Sequence, residues 1–454
     1  MLRTRVMAAV AGVVLLAGTP AWADNNGNSG NSGSGVPDDQ PLPGYTVNNP
    51  PLPPLVIGGQ PTKVLQGIRQ HAAYIIEVPA KWNGRLAMWA HGFRGNGKVL
   101  TVDTPPFGLR GQMLSEGYAW AASSYYDNDY DVRAGVITTH DLAQRFSTLV
   151  ARPKQVLIAG ASMGGHVIGR SLEQYPGFYD GALPMCGVLG DQDLFDYFLS
   201  YQLTAQALAG IRAYPPPPDY LPTIVPRIQD TLGLTKLVPG GPDTVTDRGA
   251  QFRAVTTELS GGPRPGATPA FAVWKDFLFN LAAPVPPNSS LARDPIQVAT
   301  NLFTRYRPNS PVDLNREVQR VAPRDWLSRL SPALTAVPKI AGRPMVPVLT
   351  LHGLGDMFVP FAMEQDYRAD AARNGQTRFV VQRAIRTAGH CEFSDKEAGA
   401  AWNDLVAWVD HGRKPAGDVI DDRSAVAAPD FGCRFTDKSA YNGPGTRKLF
   451  PACP

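Results

Sequence analysis

The chain has 454 residues, 43% of them hydrophobic and 18% charged, which is enough to build a core of ordinary size. Its 43 Lys+Arg and 39 Asp+Glu leave a formal charge of +4 with the signs interleaved. That balance excludes a disordered polyelectrolyte and a nucleic-acid binder that works through a basic stripe.

In chain order, residues 1–23 read as a secretory signal peptide. Arg3 and Arg5 precede an apolar run from Met7 to Gly18, too short to span a membrane, and Ala21-Trp22-Ala23 is an A-x-A cleavage site. No adjacent Arg pair precedes the run, which argues against twin-arginine export. No later stretch reaches the roughly 18 apolar residues of a membrane span. A secreted or periplasmic location is therefore expected, with no integral membrane segment after signal cleavage. Residues 24–55 are rich in Gly, Asn, Ser and Pro and predict a flexible linker.

From residue 56 the pattern changes. Apolar runs predict strands at Ala72–Val78, Arg85–Ala90, 118–123, 155–159 and Gly181–Met185, then at 346–351 and 379–382. Helical spacing places Leu142, Phe146 and Leu149 on one face of a helix over 138–149, and two more helices are predicted at Met163–Gln174 and 399–409. Strands alternating with helices predict an α/β fold with a doubly wound, mostly parallel sheet. Its first part is expected over 56–190 and its second over 344–411. The stretch 191–343 breaks the rhythm with Pro runs and helix candidates at 195–208 and 271–281, and reads as an inserted helical cap. A separate domain with its own task is the alternative. Residues 412–454 are polar and read as a C-terminal extension. No repeat at solenoid periods is present.

The chemistry begins at Gly160-Ala161-Ser162-Met163-Gly164-Gly165, between the run QVLIA and a helical pattern. G-x-S-x-G is weakly specific by itself in a Gly-rich chain; strand before and helix after make it a nucleophile elbow. The serine occupies a tight, strained turn, so its neighbours must lack side chains. The next amide, that of Met163, opens a helix and faces developing negative charge. Upstream, strand Arg85–Ala90 runs into His91-Gly92-Phe93-Arg94-Gly95, where the Phe93 amide is the expected second oxyanion donor and His91 reads as structural. Downstream, the 346–351 run meets His352-Gly353-Leu354-Gly355-Asp356, which presents Asp356 as the acid that orients an imidazole. Asp191, Asp193 and Glu392 are rival acids. Last, Ala388-Gly389-His390-Cys391-Glu392-Phe393 follows the 379–382 strand and offers His390 as general base and then acid. His71, His140, His166, His352 and His411 read as packing or surface residues, with a supporting role open to His166 on the elbow helix.

The elbow GASMGG, the loop WAHGFRG, the acid loop LHGLGDMFVP and the base loop AGHCEF occur in the order Ser, Asp, His. On these motifs the chain resembles the α/β-hydrolase superfamily, specifically its secreted bacterial serine hydrolases, over roughly 56–409 outside the cap. The resemblance implies catalysis through a covalent acyl-enzyme and leaves the substrate open, because the superfamily hosts many reactions. The leading expectation is a carboxylesterase acting on a small-molecule or polymeric ester. A peptidase or amidase on the same fold, a polyester depolymerase and a non-catalytic binding protein are the alternatives. A peptidase would need an acidic clamp for an amine, for which Glu173, Asp191, Asp193 and Asp196 are available. Substrate-facing positions are expected at Tyr125 and Tyr126 after the 118–123 strand, and at Phe195 and Phe198 in the cap. Tyr197, Tyr201, Trp274, Phe277 and Phe279 serve either that wall or the cap's own core.

Four cysteines allow three connectivities. Cys433 and Cys453 bracket a polar segment that a bond would order. Cys186 and Cys391 both fall at the carboxyl end of a parallel sheet, so they form the natural second pair; two free buried thiols are the alternative. No cofactor and no metal are expected, since H-E-x-x-H, C-x-x-C and phosphate-loop patterns are missing. Asp127-Asn128-Asp129 lacks the rest of a calcium loop. No nucleic-acid partner is expected.

Overall fold

The computed structural model describes residues 35–453; the expected signal peptide and the first part of the expected linker lie outside them. One sheet holds eight strands: β1 (Lys63–Arg69), β2 (Ala72–Val78), β3 (Arg85–Ala90), β4 (Ala119–Ser123), β5 (Gln155–Ala161), β6 (Gly181–Met185), β7 (Val348–Gly353) and β8 (Val380–Ile385). Their spatial order is β1-β2-β4-β3-β5-β6-β7-β8. Strand β2 pairs antiparallel with both β1 and β4, and every other pairing is parallel. The helices used below are α1 (Leu109–Ser115), α2 (Val132–Leu149), α3 (Met163–Gln174), α4 (Asp193–Ala209), α5 (Val225–Leu232), α6 (Asp247–Leu259), α7 (Ala267–Asn280), α8 (Ala362–Arg373) and α9 (Asp395–His411).

The central strands are apolar throughout because helices cover both faces. In β3, Leu86, Met88 and Ala90 enter the core on the side of α2 and α3, whereas Ala87 and Trp89 enter the core on the side of α1 and α9. Strand β5 divides in the same way, Val156 and Ile158 against Leu157 and Ala159. Period-two alternation therefore feeds two cores from one strand. Edge strand β1 was not among the predicted elements; it carries Gly67 and has only half-buried side chains.

Helix boundaries shift where capping decides them. Helix α2 starts at Val132, because the Asp131 side chain accepts from the Ala134 amide. Helix α9 starts at Asp395 behind a capping box of Ser394 and Glu397, which recruits a polar first turn that apolar spacing misses.

Helices α4 to α7 lie in the insertion between β6 and β7. Two terminal segments are more integrated than composition suggests. At the end of the expected linker, Thr46–Val47 pairs in parallel with Val99–Leu100, and Leu52 and Leu55 pack on the α1/α9 core. In the C-terminal extension, Ile420, Val426, Phe431 and Phe450 are buried in the main core. These few apolar side chains suffice because the body, not the segment, supplies the surface they cover. No helix among the described residues is long and apolar enough to cross a membrane.

Candidate active site

Ser162 sits between β5 and α3 at φ 58° and ψ −124°. This left-handed region is costly for a residue with a side chain. Backbone packing enforces it. A Cβ on Gly160 would lie 2.4 Å from the Ala90 carbonyl oxygen, and one on Gly164 only 2.1 Å from the same atom. A Cβ on Gly165 would meet the Cα of Gly187 at 2.3 Å. The motif's glycines are thus dictated by two neighbouring strand ends that leave no room. Met163 is the first residue of α3, so its N–H has no acceptor within the helix. Across the turn, Gly92 approaches so closely that a Cβ there would sit 2.9 Å from the Ser162 Cβ, which brings the Phe93 backbone beside the serine.

The acid and base loops are joined to each other. The amides of Leu354 and Gly355 donate to the Ile385 and Thr387 carbonyls at 2.8 Å each. A Cβ on Gly355 would lie 2.8 Å from the Ala388 Cα, which explains the second glycine of G-x-G-D. Asp356 is fully buried. Its Oδ1 accepts from the Phe358 and Val359 amides at 3.0 Å each, and its Oδ2 accepts from His390 Nδ1 at 2.6 Å. A carboxylate can only accept here, so Nδ1 carries the hydrogen and Nε2 is left as an acceptor. Ser162 Oγ lies 2.8 Å from that Nε2.

The structure therefore brings together Ser162, His390 and Asp356 from the loops after β5, β8 and β7. They stand on a sheet whose order reverses at β3/β4 and whose second strand alone is antiparallel. The chain has the α/β-hydrolase fold. No family model matches the chain. It is 21% identical over 430 residues to the o-phthalyl amidase of Xanthobacter agilis, covering 81% of this chain and 91% of that protein. Among solved structures it is similar to an esterase from Aspergillus oryzae, with a TM-score of 0.44 and 14% identity over 84% of this chain and 86% of that one. It is also similar to Candida antarctica lipase A, with a TM-score of 0.44 and 14% identity over 91% and 89% of the two chains.

The other candidates of this hydrolase fold separate clearly. Glu392 does not face the imidazole: its Oε2 accepts from Thr387 Oγ1 and Thr446 Oγ1 at 2.6 Å each, and its Oε1 accepts from the Thr446 amide at 2.9 Å. Asp191 accepts from the Ile340 amide at 2.7 Å, and burial pushes its carboxyl up to about 7. Glu173 accepts from the Ala341 and Arg343 amides, and Asp196 pairs with Arg329 at 2.8 Å. None of Glu173, Asp191, Asp193 and Asp196 lines the cavity that contains Ser162. Asp127-Asn128-Asp129 is a polar loop whose side chains engage Tyr45, Gly97, Asn96 and Arg293.

That cavity has a volume of about 250 Å³ and is walled by Phe93, Tyr130, Phe195, Phe198 and Phe358, among others. Phe195 and Phe198 both line this cavity. Tyr125 and Tyr126 do not, and this corrects the expectation for them. Tyr125 is fully buried, stacks on His91 at 3.8 Å between ring centroids, and donates to the His91 carbonyl at 3.0 Å. It props the Gly92–Phe93 loop from below. Tyr126 faces Arg133 and Asp131 instead. Tyr125 takes φ 59°, so the chain turns there rather than continuing the line of the strand that ends at Ser123. Burial, helped by the Arg94 charge, pushes His91 down to about 4, so it stays neutral and structural. His166 is also buried and pushed down to about 4. Its Nε2–H donates to the Pro338 carbonyl at 2.7 Å, and its Nδ1 accepts from the Tyr130 hydroxyl at 3.1 Å. It thereby fixes one aromatic wall of the cavity.

Sequence reasoning missed three supports of the acid and base loops. The Trp274 indole N–H from α7 is shared between the Gly355 carbonyl at 3.1 Å and the Ala388 carbonyl at 2.7 Å, which ties the acid loop to the base loop. Thr446 Oγ1 accepts from the amides of Ala388 and Gly389 at 2.7 and 2.8 Å. Buried Arg264 donates from Nε to the Leu354 carbonyl at 2.6 Å, and burial pushes its guanidinium down to about 10. No local sequence signal marks Thr446 or Arg264. The adjacency of Trp274 to other aromatics suggested a wall rather than a clamp. Disulfides join Cys186 to Cys391 and Cys433 to Cys453. Cys186 and Cys391 lie with His390 in a cluster of metal-ligating side-chain types, but both sulfurs are in the bond.

Proposed function

We propose that this protein is a serine hydrolase that cleaves carboxylic esters through an acyl-enzyme, with Ser162 as nucleophile. The observation that carries the reading is the continuous hydrogen-bonded path from Ser162 Oγ through His390 to buried Asp356, opening into an apolar cavity.

On this reading the roles are as follows. His390 Nε2 takes the Ser162 proton as Oγ bonds to the ester carbonyl carbon. The carbonyl oxygen becomes an oxyanion, stabilised by the amides of Met163 and Phe93. His390, held as imidazolium by Asp356, returns the proton to the leaving alkoxide, and the alcohol departs. Water then repeats the sequence on the acyl-enzyme, releasing the acid and restoring Ser162. The two disulfides fit an oxidising compartment and support export of the mature chain.

Ester preference rests on the cavity wall. The acidic side chain that lines it, Asp294, is paired with Arg324 at 2.5 Å and so is already engaged, which leaves no ready clamp for an amine. An amidase is the second reading, favoured by the similarity to the o-phthalyl amidase of Xanthobacter agilis.

The test is hydrolysis of matched acyl esters and acyl anilides by the mature protein, with Ser162→Ala alongside. The expected result is ester turnover that falls on the order of 10⁴-fold in the variant with unchanged thermal unfolding. Anilide turnover equal to ester turnover selects the second reading. Full activity in Ser162→Ala removes both.

A further inference from the structure

A second cavity of about 170 Å³ adjoins the one at Ser162, and the two share Phe198, Leu281, Ala283, Val285, Asp294 and Ile296 as lining residues. The second cavity lies against α4 and the 281–285 segment and reaches Tyr214-Pro215-Pro216.

The chemistry of its far wall is informative. Gln202 is the one amide side chain there, and both its ends have partners. Its Nε2 donates to the Leu278 carbonyl at 2.7 Å, and its Oε1 accepts from the Tyr220 hydroxyl at 3.2 Å. The Asp294 carboxylate is held by Arg324. A polar substituent placed beside Gln202 or Asp294 would give up water for groups already engaged. A hydrocarbon loses nothing of that kind and gains contact with Leu199, Pro216, Leu281 and Ala282.

We propose that the two cavities join past the Phe198 ring into one channel, that the distal compartment is its acyl-chain site, and that the enzyme's substrates are esters of medium-chain, unbranched apolar acids. The proposal rests on the ester-hydrolase reading above and extends it by naming the acyl class. The carboxyl carbon sits at Ser162, the first methylenes pass over the Phe195 and Phe198 rings, which touch each other edge to face, and the remainder lies along Ala282 toward Tyr214. Each methylene moved from water into the channel raises kcat/KM by about fourfold. The gain levels off where the compartment opens at the half-exposed Arg324 side chain.

The experiment measures kcat/KM for p-nitrophenyl acetate, butyrate, hexanoate, octanoate and decanoate with the parent, Ala282→Trp and Ala282→Leu. Ala282 lines the distal cavity and is absent from the lining of the Ser162 cavity. It is half-buried, so the milder variant is available if the indole prevents folding. In the parent, the octanoate-to-acetate ratio is expected to exceed roughly 100. In Ala282→Trp the ratio is expected to fall by about tenfold or more, and in Ala282→Leu by less. A parent ratio near one, or a ratio that neither variant changes, overturns the acyl-chain site. Ester turnover that persists in Ser162→Ala overturns the underlying reading instead, and that variant run in parallel tells the two failures apart.

Discussion

The two sides of the serine–histidine contact are held in place by different means. On the Ser162 side, backbone meets backbone: Gly160, Gly164 and Gly165 abut Ala90 and Gly187 with no space for a Cβ. On the His390 side, the loop is held by atoms far away in sequence. They are the Trp274 indole, the Thr446 hydroxyl, the Glu392 carboxylate and the bond from Cys391 to Cys186. Ser162 is positioned by close packing, which has two outcomes, fitted or broken. His390 is positioned by several polar ties and one covalent tie, which can be weakened one at a time. Changes on the first side should act on folding and changes on the second on turnover.

The largest effect is expected from Gly164→Ala. Its Cβ would stand 2.1 Å from the Ala90 carbonyl oxygen, so strand end and helix must part. A loss of about 4 kcal/mol, or of folded protein altogether, is the expected outcome of thermal or urea unfolding. Parent-like stability would break the contrast at its strongest point. Replacing Cys186 and Cys391 by serine comes next. The bond spans 205 residues, and its removal should cost about 5 kcal/mol on the loop-entropy model, with kcat lowered more than KM is raised. The pair Cys433→Ser/Cys453→Ser, spanning 20 residues, should cost about 3 kcal/mol. Equal turnover in the two double variants would show that the first bond does not position His390.

A smaller effect is expected from Trp274→Phe, which keeps the ring and removes the N–H shared by Gly355 and Ala388. About tenfold lower kcat with about 1 kcal/mol lower stability is the expected pairing. A stability loss without a change in kcat would make Trp274 a packing residue only. A further expected effect is a pH dependence. His166 is neutral when folded, pushed down to about 4, and in the unfolded chain it takes a proton near 6.5. The unfolded state thus gains the proton first on acidification. The stability that His166 contributes is complete above pH 6.5 and is lost as pH falls toward 4. The stability gap between the parent and His166→Gln should therefore narrow from pH 7 to pH 4.5, and a gap that is constant or widens would contradict the neutral, buried assignment.

The legibility of the site in the sequence follows the same division. The central strands could be read because burial on both faces makes them continuous apolar runs. Ser162, Asp356 and His390 could be singled out because each stands beside a strand end, within a short motif whose glycines answer a local steric demand. Tyr125 and Tyr126 could not be placed, since proximity in sequence to a strand end does not say which way a ring turns. Thr446 could not be found at all, for it meets the base loop only through a chain path of more than fifty residues.

By itself, then, the sequence determined the alternation of strand and helix, the strained serine turn and the order of the acid and base loops. These features depend on interactions within a few residues or on a periodic pattern. Tertiary structure alone decided what holds the histidine loop still, which cap aromatics face the cavity rather than each other, and how far the cavity extends. Those depend on where the insertion and the C-terminal segment come to rest. A chain position carries no information about its distant neighbour until burial of the two apolar cores brings them together.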